Sequence, residues 1–242
     1  AFLDLDMMAS EMFVAQDEFL LHGIENKAYG EKQVARIDTL LEAFAEEIDA
    51  IKATGHLDAD LHQNLEKITT LVGDYKEGFE PLVKAFHQIE EDKEKLDVLG
   101  KEVDEALEKM IQHHEVELAR LEAQGTDIGG IRYQTQVVEH LARMEILSLK
   151  VAHNEVEFLL DKNVDRVEVM EKELGLLMGY LEALSHELRD LQEKDLLKKI
   201  GEKIGQYTAL LREMIHAEAV VEKNTAEMKG MIREIEAIGA GL

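Results

Sequence analysis

Apolar side chains along this chain recur at intervals of three and four residues, the spacing of a helix with one buried face. Residues 1–22 place Phe2, Leu3, Leu5, Met8, Met12, Phe13, Phe19 and Leu20 on such a stripe. Gly23 and Gly30 bracket a weak point, and a second stripe follows at Val34, Ile37, Leu40, Leu41, Phe44, Ile48 and Ile51. Thr54-Gly55-His56 predicts a turn, with Asp58 or Asp60 as the cap of the next helix. From Asp58 to Gln124 only Pro81 interrupts, and the pattern continues through Leu82, Phe86 and Ile89. The spacing therefore predicts a kink at Pro81 and not an end, in a helix roughly 100 Å long at about 1.5 Å per residue. Gly125-Thr126-Asp127-Ile128-Gly129-Gly130 is the clearest break. Beyond it the pattern predicts a helix from about Ile131 to Leu160, a weak point at Asp161–Asp165 and a helix to about Leu191. A polar turn at Gln192–Asp195 and a final helix to Ile238 complete it, with Gly239-Ala240-Gly241 as a frayed end.

The second half replays the first. Glu18-Phe19-Leu20-Leu21 recurs as Glu157-Phe158-Leu159-Leu160, and Leu41-Glu42-Ala43-Phe44 as Leu181-Glu182-Ala183-Leu184. Ile68, Val72, Tyr75, Phe79 and Leu82 line up with Ile200, Ile204, Tyr207, Leu211 and Met214. A period this long is not a short-repeat solenoid; it is a duplicated helical unit. Short loops make sequential helices antiparallel neighbours. The weak points at 23–30 and 161–165 are read as passing the chain straight on, so the expected fold is all-α: two stacked up-down four-helix bundles, six helices in all, sharing two long helices. One bundle would comprise about 1–22, 90–160 and 222–242, the other about 24–89 and 161–221, within one domain spanning 1–242.

Composition narrows the class. Cysteine and tryptophan are absent and there is one proline, so disulfides and thiol catalysis are excluded and helix breakers are few. No run of ~18 apolar residues is present to cross a bilayer. The chain starts at Ala1 and carries no signal-peptide pattern, which reads as a fragment cut from something longer. A formal net charge of −25 repels nucleic acid phosphate and anionic lipid headgroups. No nucleophile motif, phosphate loop or dinucleotide-binding turn is present, so no enzyme and no cofactor are expected. Diiron bundles need two Glu-x-x-His pairs, and only Glu213-x-x-His216 has that spacing.

The duplicated E-F-L-L segments, Tyr75-x-x-x-Phe79 and Leu99-Gly100-Lys101-Glu102-Val103 in the long helix resemble the helical bimodular sensor domain of bacterial methyl-accepting chemotaxis receptors. Related domains occur in some sensor histidine kinases, and the resemblance covers nearly the whole chain. It implies a periplasmic, dimeric domain flanked by transmembrane helices, binding small molecules such as organic acids, with a cytoplasmic signalling portion beyond. The resemblance implies a parallel homodimer, and the helix from Val137 to Leu160, apolar beyond what one bundle hides, agrees with association.

Two interior pockets are expected. In the first, Tyr75 and Tyr207, at equivalent places in the two halves, meet across a bundle with Tyr180 and Thr69 near them; the alternative is a pair of core tyrosines bonded to neighbours. In the second, Arg132, Tyr133, Arg143 and His140 hold a carboxylate, because a buried anion needs a cation and guanidinium grips it bidentately. Arg120 and Arg233 are further cations there. The first helix carries no Arg or Lys, a departure from organic-acid binders of the resembled family. His113 and His114 before the glycine-rich turn and His140 after it fall at similar heights, near Glu115 and Glu139, and are candidate ligands for Zn²⁺ or a similar ion. Met7, Met8 and Met12 read as core filler.

The leading function is ligand sensing without catalysis, a small molecule held among four helices and the signal leaving as a helix shift. The alternatives are a histidine-kinase sensor that docks a periplasmic binding protein, and a structural bundle with no small ligand.

Overall fold

The computed structural model describes residues 2–23, 26–55, 58–125 and 127–240. The side chains of Phe2 and Leu3, the expected turn residues His56 and Thr126, and Gly241 of the expected frayed end lie outside them. Six helices account for the described chain: α1 Phe2–His22, α2 Lys27–Ala53, α3 Ala59–Gln124, α4 Ile128–Asp161, α5 Asp165–Glu187 and α6 Leu191–Ala240. No strand occurs among the described residues. The all-α, six-helix expectation holds, and α3 continues through Pro81 for 66 residues.

Side-chain caps set the boundaries. The Asn26 carboxamide accepts from the Tyr29 amide at 3.1 Å, Asp58 from the Leu61 amide at 2.8 Å and Asp127 from the Gly130 amide at 2.9 Å. At Gly130 a Cβ would lie 2.4 Å from Asp127 Oδ2, so a larger residue there would push the capping carboxylate aside. The turn expected at 192–195 falls earlier, at 188–190. Asp190 accepts from the amides of Gln192 at 2.6 Å and Glu193 at 3.1 Å, and so starts α6.

The chain divides into two compact units, residues 1–91 with 214–242 and residues 92–213. Unit 1 contains α1, α2, the first half of α3 and the second half of α6. Unit 2 contains the second half of α3, α4, α5 and the first half of α6. Each is an up-down four-helix bundle, and the two long helices serve both. The expected grouping of 1–22 with 90–160, and of 24–89 with 161–221, is corrected: α1 stays with α2, and α4 with α5. The reason is that both weak points reverse the chain. In unit 1, Arg36 of α2 reaches Glu11 at 3.6 Å and Glu18 at 3.9 Å, and the Tyr29 hydroxyl donates to Glu18 at 2.9 Å, an antiparallel register. A Cβ on Gly30 would lie 3.1 Å from Gly23 Cα, and one on Gly23 would lie 2.5 Å from the Phe19 carbonyl; only glycine allows this hairpin to close so tightly. In unit 2, Lys162 takes a left-handed φ of 54° and turns α4 back into α5.

The unit 1 core is aromatic. Phe19 packs against Phe86 at 4.4 Å and Phe79 at 6.1 Å between ring centroids, with Phe44, Ile37, Leu82, Met228 and Ile232 around them. The unit 2 core is aliphatic: Leu107, Leu141, Met144, Val151, Leu174, Leu177, Ile200 and Ile204 are buried, with Phe158 and Tyr207.

Candidate functional site

Tyr75 and Tyr207 do not form one pocket; they belong to different units. Tyr75 is fully buried in unit 1, and its hydroxyl donates to Gln16 Oε1 of α1 at 3.1 Å. The Gln16 side chain is equally buried, and its Nε2 has no hydrogen-bond partner. Burial, and then the Asp17 charge, push the Tyr75 phenol far above its usual value. In unit 2 the Tyr207 hydroxyl donates to Glu155 Oε2 of α4. Glu155 is 5% exposed. Burial raises its carboxyl, the Tyr207 hydroxyl opposes that shift, and Asp97 adds to it while Lys93 opposes it. Tyr207 is raised in turn by burial and by the Glu155 charge.

The two pairs are one motif written twice. Gln16 stands two residues before Glu18-Phe19, and Glu155 two before Glu157-Phe158. The alignment that matched the tyrosines also matches their partners, and that was the available signal for Gln16 and Glu155. One side of the difference is chemical, an amide in unit 1 against a carboxyl in unit 2. The other is steric. Extending the long-helix alignment pairs Leu96 with Met228, Gly100 with Ile232 and Val103 with Ile235. Ile232 fills the unit 1 core, whereas Gly100 leaves space beside the Tyr207 ring, 3.9 Å from where its Cβ would be. A cavity of about 30 Å³ results, lined by all four helices of unit 2 through Gly100, Asp104, Ser148, Leu174, Leu177 and Tyr207. On its wall the Ser148 hydroxyl donates to Asp104 at 2.7 Å. This is room for about one water.

The remaining expected site residues are dispersed. Thr69 is in unit 1, away from Tyr180; its hydroxyl donates to the Leu65 carbonyl at 2.7 Å and meets Lys52 Nζ at 3.3 Å. Arg132 is exposed, and Tyr133 lies half-buried under the Arg189 guanidinium, 4.7 Å from the ring centroid. Arg143, Tyr180 and His140 do come together, on the α4–α5 seam. Arg143 donates to the Tyr180 hydroxyl at 3.2 Å, the His140 ring sits 5.7 Å from that of Tyr180, and His140 Nδ1 lies 3.3 Å from Glu187. The four α4 residues therefore line no common interior pocket, because their side chains leave α4 toward a seam or solvent. Arg120 forks onto Glu117 of its own helix.

His113 and His114 face Glu193 of α6 at 3.4 and 3.5 Å, in place of Glu115, Glu139 or His140. His114 is buried, with Nδ1 2.6 Å from Gln134 Oε1. Among the described residues no group of three or more His, Cys, Asp or Glu side chains is placed to hold a metal. No helix in the described residues is long and apolar enough to cross a membrane. On the surface of unit 1, a groove of about 640 Å³ opens between α2 and α3, floored by Val34, Phe79 and Val83 and edged by Lys76, Lys84 and His87 together with Asp38, Glu80 and Glu91.

No protein-family model and no curated protein matches the chain. Among solved structures, the TorS sensor domain, crystallised as its complex with TorT in the presence of TMAO, matches with a TM-score of 0.60 at 13% identity. The match covers 99% of this chain and 96% of that one. The likeness is one of fold: the chain has the helical architecture of that sensor domain from end to end.

Proposed function

We propose that this chain is the extracytoplasmic sensing domain of a membrane receptor, non-catalytic, and that its input is a protein docked on its outer helical surface. The observation that carries this is the full-length fold likeness to a sensor domain solved with a protein partner. The interiors add support. The cavity beside Tyr207 holds about 30 Å³, against roughly 300 Å³ or more for an ordinary small-molecule site. The expected arginine grip on a buried carboxylate is instead an exposed seam in which Arg143 already serves Tyr180. The unit 1 groove offers a docking platform: an apolar floor rimmed by charges of both signs, Lys76 and Lys84 beside Asp38, Glu80 and Glu91, which suits an apolar-tipped partner loop that itself carries mixed charge. A histidine-kinase sensor that receives a ligand-binding protein fits this reading; the chemoreceptor reading with an organic acid inside a bundle is the runner-up.

The test sets the two against each other. Binding proteins from the source organism, each with and without its ligand, are titrated calorimetrically into the domain, and a panel of organic acids, amino acids and nitrate is screened by thermal shift. Docking predicts one protein partner whose affinity falls at least ~10-fold (about 1.4 kcal/mol) on Lys76→Glu with Lys84→Glu. It also predicts no stabilisation by any metabolite alone. A metabolite adding about 2.7 kcal/mol at 100 times its dissociation constant, and losing that effect in Tyr207→Phe, overturns it.

A further inference from the structure

His114 departs from the rule that buried polar groups are paired. The residue is 2% exposed, and its Nε2 has no hydrogen-bond partner. The other ring nitrogen explains why. Nδ1 lies 2.6 Å from Gln134 Oε1 of α4, a carbonyl oxygen that can only accept, so Nδ1 carries the ring proton. A neutral imidazole has one N–H, and Nε2 is left as a bare lone pair. That lone pair faces Glu193 Oε1, in the first turn of α6, at 3.5 Å. Two acceptors confront each other with no donor between them, a costly arrangement inside a bundle. Beside them a groove of about 330 Å³ runs between α3 and the start of α6, lined by Lys109, His113, Asp190 and Glu193. Nε2 itself is closed off from solvent. A proton fits there where a water does not.

We infer that His114 is a proton-operated clasp: one proton taken up from solvent at Nε2 completes an ion pair with Glu193 that ties α3 to the first turn of α6, while Nδ1 keeps its bond to α4. The surrounding charges single out Glu193 as the partner. On α3, Lys109 opposes a second positive charge, but its ammonium stands in solvent, and Glu117 is engaged by Arg120. From α4 comes the neutral Gln134. At the turn into α6, Arg189 lies over the Tyr133 ring, and Asp190 is committed to the amides of Gln192 and Glu193. Glu193 is 19% exposed and meets the ring directly. His113 also reaches it, at 3.4 Å, but is 70% exposed, so solvent screens that contact. In the imidazolium both nitrogens donate, one to α4 and one to α6. Acid therefore locks the start of α6 onto α3, and base leaves that contact open. The unfolded chain offers His114 no such partner, so the fold binds this proton the more tightly. The stability it adds is present in acid and lost as pH rises through the titration of the folded chain. The inference does not require the docking reading above.

A double-mutant cycle on His114→Gln and Glu193→Gln, read by urea unfolding, tests the clasp, because the packing cost of each change cancels in the coupling. That coupling should be ~10-fold in the unfolding constant at pH 5.5 and under ~2-fold at pH 8.5. In a His113→Gln background both values should hold within ~2-fold. Coupling of equal size at both pH values overturns the inference, since it would show an ordinary hydrogen bond from an Nε2–H to Glu193; coupling absent at both overturns it as well. Should His114→Gln fail to fold, the ring ¹⁵N resonances of His114 in the parent and in Glu193→Gln decide. The parent should carry its proton on Nδ1 alone at pH 8.5, and the variant should need ~10-fold more free protons to half-protonate Nε2. A proton on Nε2 at pH 8.5, or proton uptake unchanged in Glu193→Gln, overturns the clasp.

Discussion

Unit 1 and unit 2 are built from the same repeat and differ at their centres. Unit 1 surrounds a neutral Tyr75–Gln16 pair with phenyl rings and closes the space with Ile232. Unit 2 surrounds an ionisable Tyr207–Glu155 pair with aliphatic side chains and leaves a small cavity at Gly100. A four-helix bundle needs its central layers filled and its buried polar groups paired. Unit 1 fills its central layers and pairs the Tyr75 hydroxyl with a group that does not titrate, although Gln16 Nε2 is left without a partner. Unit 2 leaves a cavity there and uses a carboxyl that burial holds above its ordinary range. The comparison teaches that one repeat closed its central layer while the other kept a small cavity beside an ionisable pair.

The largest test of that contrast is Phe19→Ala against Phe158→Ala. Phe19 is fully buried and touches two rings. Its loss should cost about 4 kcal/mol, and loss of Phe158 nearer 3 kcal/mol, measured by urea unfolding. Equal or reversed values would remove the claim that unit 1 is the more tightly packed. Next in size is Gln16→Glu, which writes the unit 2 chemistry into unit 1. A carboxyl there has no cavity beside it and no second donor, so destabilisation of about 2 kcal/mol is expected at pH 7, and much less at pH 4. A loss independent of pH would mean that shape, not charge, distinguishes the pairs.

Much of this contrast was legible in the sequence, but not all of it. The six helices follow from the three–four spacing and the scarcity of breakers, and Tyr75 and Tyr207 were recognisable as equivalents. What the pattern could not say was whether Gly23–Gly30 and Asp161–Asp165 carry the chain onward or turn it back. Periodicity is blind to direction; the answer lies in the glycine-only contact of Gly30 with Gly23 and the left-handed Lys162. That one choice decided bundle membership, and with it whether the two tyrosines share a pocket. The 188–190 turn was missed because Leu188 and Leu191 continue the apolar rhythm across it, while Asp190 alone supplies the cap. Arg143 looked like an anion ligand because sequence shows charge but not the Tyr180 hydroxyl already facing it.

Glu155→Gln makes the reverse exchange and carries a pH signature. Below the ordinary carboxylate value of 4.5, folded and unfolded chains both hold the proton, and the stability linked to it is fully present. As pH rises, the unfolded chain ionises first while burial keeps Glu155 protonated in the fold. Stability is therefore lost progressively until pH passes the raised folded value. The variant lacks this loss. It should match the parent near pH 4 and exceed it by about 1 kcal/mol at pH 7, in paired thermal melts across the range. A difference that shrinks with rising pH would show that Glu155 is ionised in the folded chain and held by its partners.

The smallest expected effect is at Gly100. The residue lies inside α3, where glycine is about 1 kcal/mol worse than alanine, and an added Cβ would meet Tyr207 at 3.9 Å, ordinary contact distance. Gly100→Ala should thus stabilise unit 2 by up to ~1 kcal/mol through backbone propensity and partial filling of the space that Ile232 fills in unit 1. The new methyl would come no closer than 3.9 Å to Tyr207, at Cε2, so the Tyr207–Glu155 pair should keep its pH dependence, and Gly100→Ala and Glu155→Gln should add. Stabilisation with an unchanged pH profile separates the steric half of the contrast from the chemical half. If the methyl instead destabilises the domain, the space beside Tyr207 is occupied, most simply by an ordered water bridging Asp104, Ser148 and Tyr207, and the cavity is a polar site rather than a packing defect.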